Sequence, residues 1–263
     1  MLPIYQATAY MGVLPGGSTK PWAVYVLGEA GLPVPFVVKT FRDEPLKPQP
    51  YVANEVFGSV LAGLFDLPVP KAAFIEFTQD FLNTLGPQQL SQLGKSEPGL
   101  KFGCEYIETP FQYSPSLARR VIAGYDIETI YAFDNLILNR DRRLIKPNLL
   151  LLPQEAYLID HELTMLGSDL AKSMLGEGKW IYLYKQHLFY KYLKSRGIEA
   201  ASRSFQSFGG YLQEVNFDEL VPYYHQLVEL GFDTSHFDSL YQYLCYQNAN
   251  SDQFEEILRR TLL

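Results

Sequence analysis

Over the first hundred residues the apolar positions fall in short runs of β type. WAVYVL (residues 22–27) and FVVKTF (36–41) are rich in β-branched and aromatic residues, and the intervening GEAGLPVP carries the Gly and Pro of a hairpin connection. Two antiparallel strands are predicted. Ala53, Val56, Phe57, Val60, Leu61 and Leu64 then recur with helical spacing up to the prolines of DLPVP, which paints one face of a helix. KAAFIEF (71–77) reads as a strand, 78–93 as helical, GKSEPG as a loop and LKFGCEYI (100–107) as another strand.

Near residue 110 the pattern changes. Helix-like spacing runs from about Leu117 to Asn139, two short strands follow in NLLLL and AYLID, and residues 169–263 read as helical with breaks near Gly209–Gly210 and Gly231. No internal repeat is evident. The expected fold class is α+β with two lobes: a small sheet-plus-helix lobe over 1–108 and a larger, mostly helical lobe over 109–263. Two such lobes are expected to leave a cleft, and clefts between domains favour ligands.

Composition narrows the choices. Of the 263 residues, 47% are hydrophobic, 22 are Lys or Arg and 29 are Asp or Glu, for a net charge of −7. The basic clusters Arg119–Arg120, Arg140–Arg143 and Arg259–Arg260 are short, so extended nucleic-acid binding is not expected, while a local anion site is allowed. Cys104 and Cys245 make neither a metal-ligand spacing nor a disulfide framework, which suits a reducing cytoplasm. The first residues lack the pattern of a secretory signal, and no stretch of about 18 apolar residues occurs, so neither export nor a membrane span is expected.

Polar residues stand out most in FDNLILNRDRRLIKPNLLLLPQEAYLIDHEL (133–163), where acids and amides interrupt a leucine-rich frame. A hairpin there would bring Asn148 and Asp160 to the same end, and hard oxygen donors of that kind suit Mg²⁺ together with substrate phosphates. Asp141, before them, is placed to orient a hydroxyl or accept its proton. Taken singly, Asp141 and Asn148 are equally good turn formers and Asp160 a strand cap. Gly16-Gly17-Ser18-Thr19 suits an ordinary turn as well as a backbone that approaches phosphate oxygens. Lys39 fits a solvated strand position or a phosphate-holding cation, and Glu55 a helix-surface acid or that cation's partner.

The order in which these parts occur is that of phosphoryl-transfer enzymes of protein-kinase type. NRDRR…NLLLL…YLIDHEL resembles the pattern asparagine, any residue, Asp-Arg-His, then Asn-Leu-Leu, then Ile-Asp-His of HipA-like kinase domains. GGSTKPWAVYV, PFVVKTF, ANEVFGSVLAGLFDLPVPKAAFIE and PGLKFGCEYI resemble the same family's small-lobe segments in order, so that the likeness covers about residues 10–165. It implies a bilobal protein-kinase-like fold, with ATP and Mg²⁺ as cofactors and phosphoryl transfer to a hydroxyl, a Ser or Thr of a protein being the suggested acceptor. It also implies a nucleotide-binding role for Gly16, Gly17 and Ser18, a phosphate-binding role for Lys39 with Glu55 as its helix partner, and an adenine-facing backbone at Glu105, Tyr106 and Ile107. Asp141 corresponds to the catalytic aspartate, Asn148 and Asp160 to the metal ligands, and His161 to a support for Asp160.

Two departures matter. Arg143 stands where the family has His, and Asn148 follows Asp141 by seven positions rather than five, the excess lying within LIKP. An error of about 1 Å in such a site costs about a hundredfold in rate, so a kinase that binds nucleotide or a partner without turnover is the second reading. Lys146, inside the longer loop, fits either a cation that assists the γ-phosphate or a solvated side chain, and the solvated position is the one expected. An alternative register through Asp134 and Asn139 is set aside because FDNLILN reads as continuous helix with Asp134 buried behind the loop. A third reading, an interaction module built on the Tyr-rich tail, has less in its favour, since tyrosines there serve equally as filler.

Overall fold

A computed structural model describes the chain except for residues 16–19, 29, 40–49, 94–97, 109, 115–116, 118 and 180–183, and the side chains of 92, 93 and 112. The fold is mixed α+β. By its internal contacts the chain divides into two compact units, one formed by residues 1–52 and 70–108, the other by 53–69 and 109–263.

In the first unit the strands β1 (Ile4–Val13), β2 (Trp22–Leu27), β3 (Pro33–Val38), β4 (Ala72–Phe77) and β5 (Gly99–Glu105) close into a barrel in the order β1-β2-β3-β5-β4. All neighbours are antiparallel except β1 and β4, which run parallel. Period-two alternation puts Trp22, Val24 and Val26 of β2 inside with Phe36 and Val38 of β3 and Ala73, Ile75 and Phe77 of β4, and Phe81, Leu82 and Leu85 complete the core. Burying each large side chain contributes about 1.5–3 kcal/mol. The sheet expected from the sequence is a closed barrel, because β1 pairs on both sides. That strand has no clean alternation: only Ala7 of its ten residues is buried, and its register with β2 shifts twice.

The second unit holds a three-stranded antiparallel sheet, β6 (Phe111–Gln112), β7 (Leu149–Leu151) and β8 (Ala156–Leu158), with helices on both sides of it in sequence. Most of the helix Tyr51–Leu64 belongs here, where Phe57 packs on Phe237 at 5.3 Å and Phe65, just beyond its end, stacks on Phe208 at 4.8 Å. The helical run expected from Leu117 to Asn139 is two helices, Arg119–Ile122 and Ile127–Leu136. Asp126 starts the second by accepting the Thr129 N–H at 3.3 Å. FDNLILN is therefore not continuous helix; it ends at Leu136, and Leu138 turns left-handed at φ 56°. Gly209–Gly210 does not break a helix either. Both lie inside Gln206–Glu214, where a Cβ on Gly209 would run into the Glu255 carboxylate of the helix Ser251–Leu262. Gly231 does mark a break, at φ 78° after the helix Val221–Glu229. Among the described residues no helix is long and apolar enough to cross a membrane.

Candidate functional site

The hairpin β7–β8 fixes the spacing of two of the oxygen-bearing residues. Leu149 faces Leu158 in register, and the Ile159 N–H donates to the Asn148 carbonyl at 3.2 Å, so Asn148 and Asp160 flank the same end of the hairpin. Both take the left-handed conformation, Asn148 at φ 47° and Asp160 at φ 66°. Asn and Asp tolerate that region better than other residues with a Cβ, so turn chemistry and site chemistry coincide at these two positions.

Behind the loop lies a buried charge cluster. Asp134 is fully buried, its Oδ1 accepts from the Asn139 side chain at 2.7 Å, and its Oδ2 accepts from Arg142 Nε at 2.5 Å and His187 Nε2 at 2.9 Å. Each donor reaches onward. Asn139 Oδ1 accepts the Asp141 N–H at 3.0 Å, while Arg142 Nη1 donates to the Asn148 carbonyl. One buried carboxylate thus holds both ends of the loop. Burial alone would raise the Asp134 carboxyl, but the Arg142 guanidinium and the His187 hydrogen bond outweigh it and hold it below the ordinary range. Burial lowers the His187 imidazole and keeps it neutral against the pull of Asp134. One neutral tautomer satisfies both ring nitrogens: Nε2–H donates to Asp134 and Nδ1 accepts the Phe189 N–H at 3.1 Å.

The extra loop length is absorbed locally. Arg143 and Lys146 exchange backbone hydrogen bonds at 3.0 Å, which closes a tight turn with Leu144 and Ile145 at its tip, 40% and 86% exposed. Asp141 and Asn148 are brought back together, with Asn148 Nδ2 3.4 Å from Asp141 Oδ2. Lys146 is not solvated as expected. Its Nζ lies 2.5 Å from Asp141 Oδ2 and 3.0 Å from Asp160 Oδ2, because the turn aims the side chain inward beside Pro147. Burial by itself would lower the ammonium; the hydrogen bond to Asp141 and the charge of Asp160 outweigh it and raise it above the usual lysine value. Arg143 Nη2 takes the other Asp141 oxygen at 3.2 Å.

Glu55, on the helix Tyr51–Leu64, is 2% exposed, and its Oε2 accepts the His161 N–H at 3.1 Å. The neighbouring Asn54 donates to the Glu162 carbonyl at 2.8 Å, so this helix grips the chain on both sides of His161. Gly58 permits the approach: a Cβ there would stand 2.5 Å from His161 Cβ and Cγ. Ligand oxygens of Glu55, Asp160 and Glu162 lie within 4.8 Å of one another. A cation fits the chemistry of these donors, since the Asn148 and Asp160 side chains offer hard oxygens and an ammonium already rests against Asp160.

The remaining expected residues belong to the barrel unit. Lys39 follows β3 rather than lying within it, and its N–H donates to the Phe102 carbonyl at 3.1 Å. The Glu105 N–H bonds to Lys71 O at 2.8 Å and the Tyr106 N–H to Pro35 O at 2.9 Å, while Ile107 is half-buried. Gly16, Gly17 and Ser18 lie outside the described residues. Sequence reasoning passed over Arg142 and His187 and placed Lys146 in solvent. Arg142 and Lys146 sat within the quoted motif, but nothing in the order of residues says that Leu144 and Ile145 form a turn tip. A separate cavity of about 560 Å³, lined in part by Tyr125, Glu128, Arg196 and Tyr211, contains none of the residues above.

A family model described as HipA-like kinase matches residues 16–191, more than half of the chain. Among solved structures the chain is similar to the Helicobacter pylori proinflammatory kinase CtkA, at 11% identity and a TM-score of 0.46, with 97% of this chain and 96% of that one covered. No curated protein matches.

Proposed function

From the premise that the protein belongs to the HipA-like kinase family, we propose that it transfers the γ-phosphoryl group of ATP to a hydroxyl, a Ser or Thr of a protein being the acceptor the family suggests. The observation that carries this reading is the convergence of Asp141, Asn148 and Asp160: the Lys146 ammonium lies 2.5 Å from Asp141 and 3.0 Å from Asp160, and the Asn148 side chain lies 3.4 Å from Asp141. In-line transfer leaves little covalent work to the protein; it depends on positioning and on charges set in advance.

Asp141 orients the acceptor hydroxyl and takes its proton as the oxygen bonds to the γ-phosphorus and the bond to the β-phosphate oxygen breaks, releasing ADP. Asn148 and Asp160 are assigned to hold Mg²⁺, which when bound neutralises phosphate charge. Lys39 and Glu55 are assigned the phosphate-binding and partner roles that the family likeness gives them, and Glu105, Tyr106 and Ile107 the adenine-facing backbone. His161, pinned between Gly58 and Glu55, keeps Asp160 in its left-handed conformation.

A second reading has an observation of its own. Both Asp141 oxygens are already engaged, one by Arg143 and one by Lys146, as they would be in a protein that binds nucleotide without turnover. Transfer of radiolabelled γ-phosphate decides between them. The wild type should label an acceptor, itself included, and Asp141→Asn should lower the rate by about a hundredfold or more, the range expected for a general base. Nucleotide binding with no transfer by the wild type under any condition leaves only the second reading.

A further inference from the structure

Among the described residues Lys146 bridges the aspartate assigned to catalysis and the aspartate assigned to the metal, with its Nζ 2.5 Å from Asp141 Oδ2 and 3.0 Å from Asp160 Oδ2. Four charged groups meet there: Asp141 and Asp160 on one side, Arg143 and Lys146 on the other. Their formal charges cancel. The Lys146 head is not a loose surface cation; the paired backbone bonds of the turn at Arg143 and Lys146 fix its base, and Arg142 and Asn139 fix the loop on either side of it. Asp160 is held as firmly, by the hairpin before it and by His161 after it.

We propose that Lys146 is a tethered counter-ion that occupies the cation-facing side of Asp160 and must be displaced before a divalent cation can settle there. The inference rests on the reading that Asp160 is a metal ligand. Two cations cannot share one carboxylate oxygen at contact distance without strong repulsion in a partly buried setting. With the ammonium in place the cation meets an Asp160 carboxylate whose charge is already engaged, with Glu55 and Glu162 close by, so its affinity in the absence of nucleotide is lower than it would be without Lys146. A nucleotide triphosphate removes that penalty by offering the ammonium another anion. Cation and nucleotide then bind with positive coupling, each strengthening the other.

The test is a Mn²⁺ titration without nucleotide, followed by the magnetic resonance signal of free Mn²⁺ and by calorimetry. Wild type, Lys146→Met, Lys146→Gln, Lys146→Arg and Asp160→Asn are compared, with thermal unfolding confirming that each is folded. Lys146→Met and Lys146→Gln should bind Mn²⁺ about tenfold or more tightly than the wild type, Lys146→Arg within about threefold of it, and Asp160→Asn should lose the site. Equal or weaker binding in both neutral variants, with the site still lost in Asp160→Asn, overturns the tethered counter-ion and leaves the metal-ligand reading standing. Absence of binding in the folded wild type and both folded neutral variants removes the metal-ligand reading, and the inference with it. Two neutral variants are used so that failure of one to fold does not spare the proposal.

Discussion

Asp134 shows how one side chain can decide whether a loop has a shape. Its carboxylate is fully buried, and the groups that compensate it are also those that hold Asp141 and Asn148. Asp134→Asn keeps the volume but leaves the buried Arg142 charge without its counter-charge, so a loss of about 3–5 kcal/mol is expected at neutral pH, read from urea unfolding. The sign with pH follows from the lowered carboxyl. Its contribution is complete above the ordinary Asp value of about 3.9 and is lost as the pH falls through the depressed one. Wild-type stability should therefore fall more steeply than that of Asp134→Asn as the pH is lowered below about 4. Parallel slopes would mean that the charge is not what Asp134 contributes. Asp134 itself was legible in the sequence as a residue buried behind the loop; its His187 donor was not, because it lies 53 residues away in the chain.

At the scale of elements, the helix Tyr51–Leu64 and the hairpin β7–β8 together set Asp160. The apolar stripe of the helix was visible in the sequence, and so were both strands of the hairpin. The contact that matters was not, since a glycine in a helix reads as a defect until its neighbour is known. Two effects oppose each other in Gly58→Ala. Helix propensity favours Ala by about 1 kcal/mol, but overpacking costs about 1–3 kcal/mol. A Cβ would meet His161 at its own Cβ and Cγ, atoms too near the backbone to swing aside, so the overpacking should win. The variant is expected to be less stable by up to about 2 kcal/mol in urea unfolding. A gain in stability would show instead that His161 yields and that Asp160 is set by the hairpin alone.

For the molecule as a whole, the division into units does not follow the order of the chain. The helix segment 53–69 lies between strands of the barrel in sequence, yet its Phe57 and Phe65 are buried against Phe237 and Phe208 of the second unit. A fragment of residues 109–263 would expose the partners of those side chains, each of which contributes about 1.5–3 kcal/mol by burial, whereas one of residues 53–263 that replaces 70–108 with a short linker retains them. The first should show no cooperative thermal transition by circular dichroism and the second should show one; a cooperative transition in both would mean that the helix segment is not part of the unit's core. By itself the sequence determined the family and the strands and helices whose patterning is strongly periodic, and it singled out Asp141, Asn148 and Asp160 as candidates, because local spacing and residue chemistry are written directly in the chain. Tertiary structure alone decided that β1 closes a barrel, that the surplus loop residues fold into a turn tip and that Lys146 faces inward. Each of those outcomes depends on a partner distant in sequence or on the direction of one side chain, and a linear pattern encodes neither.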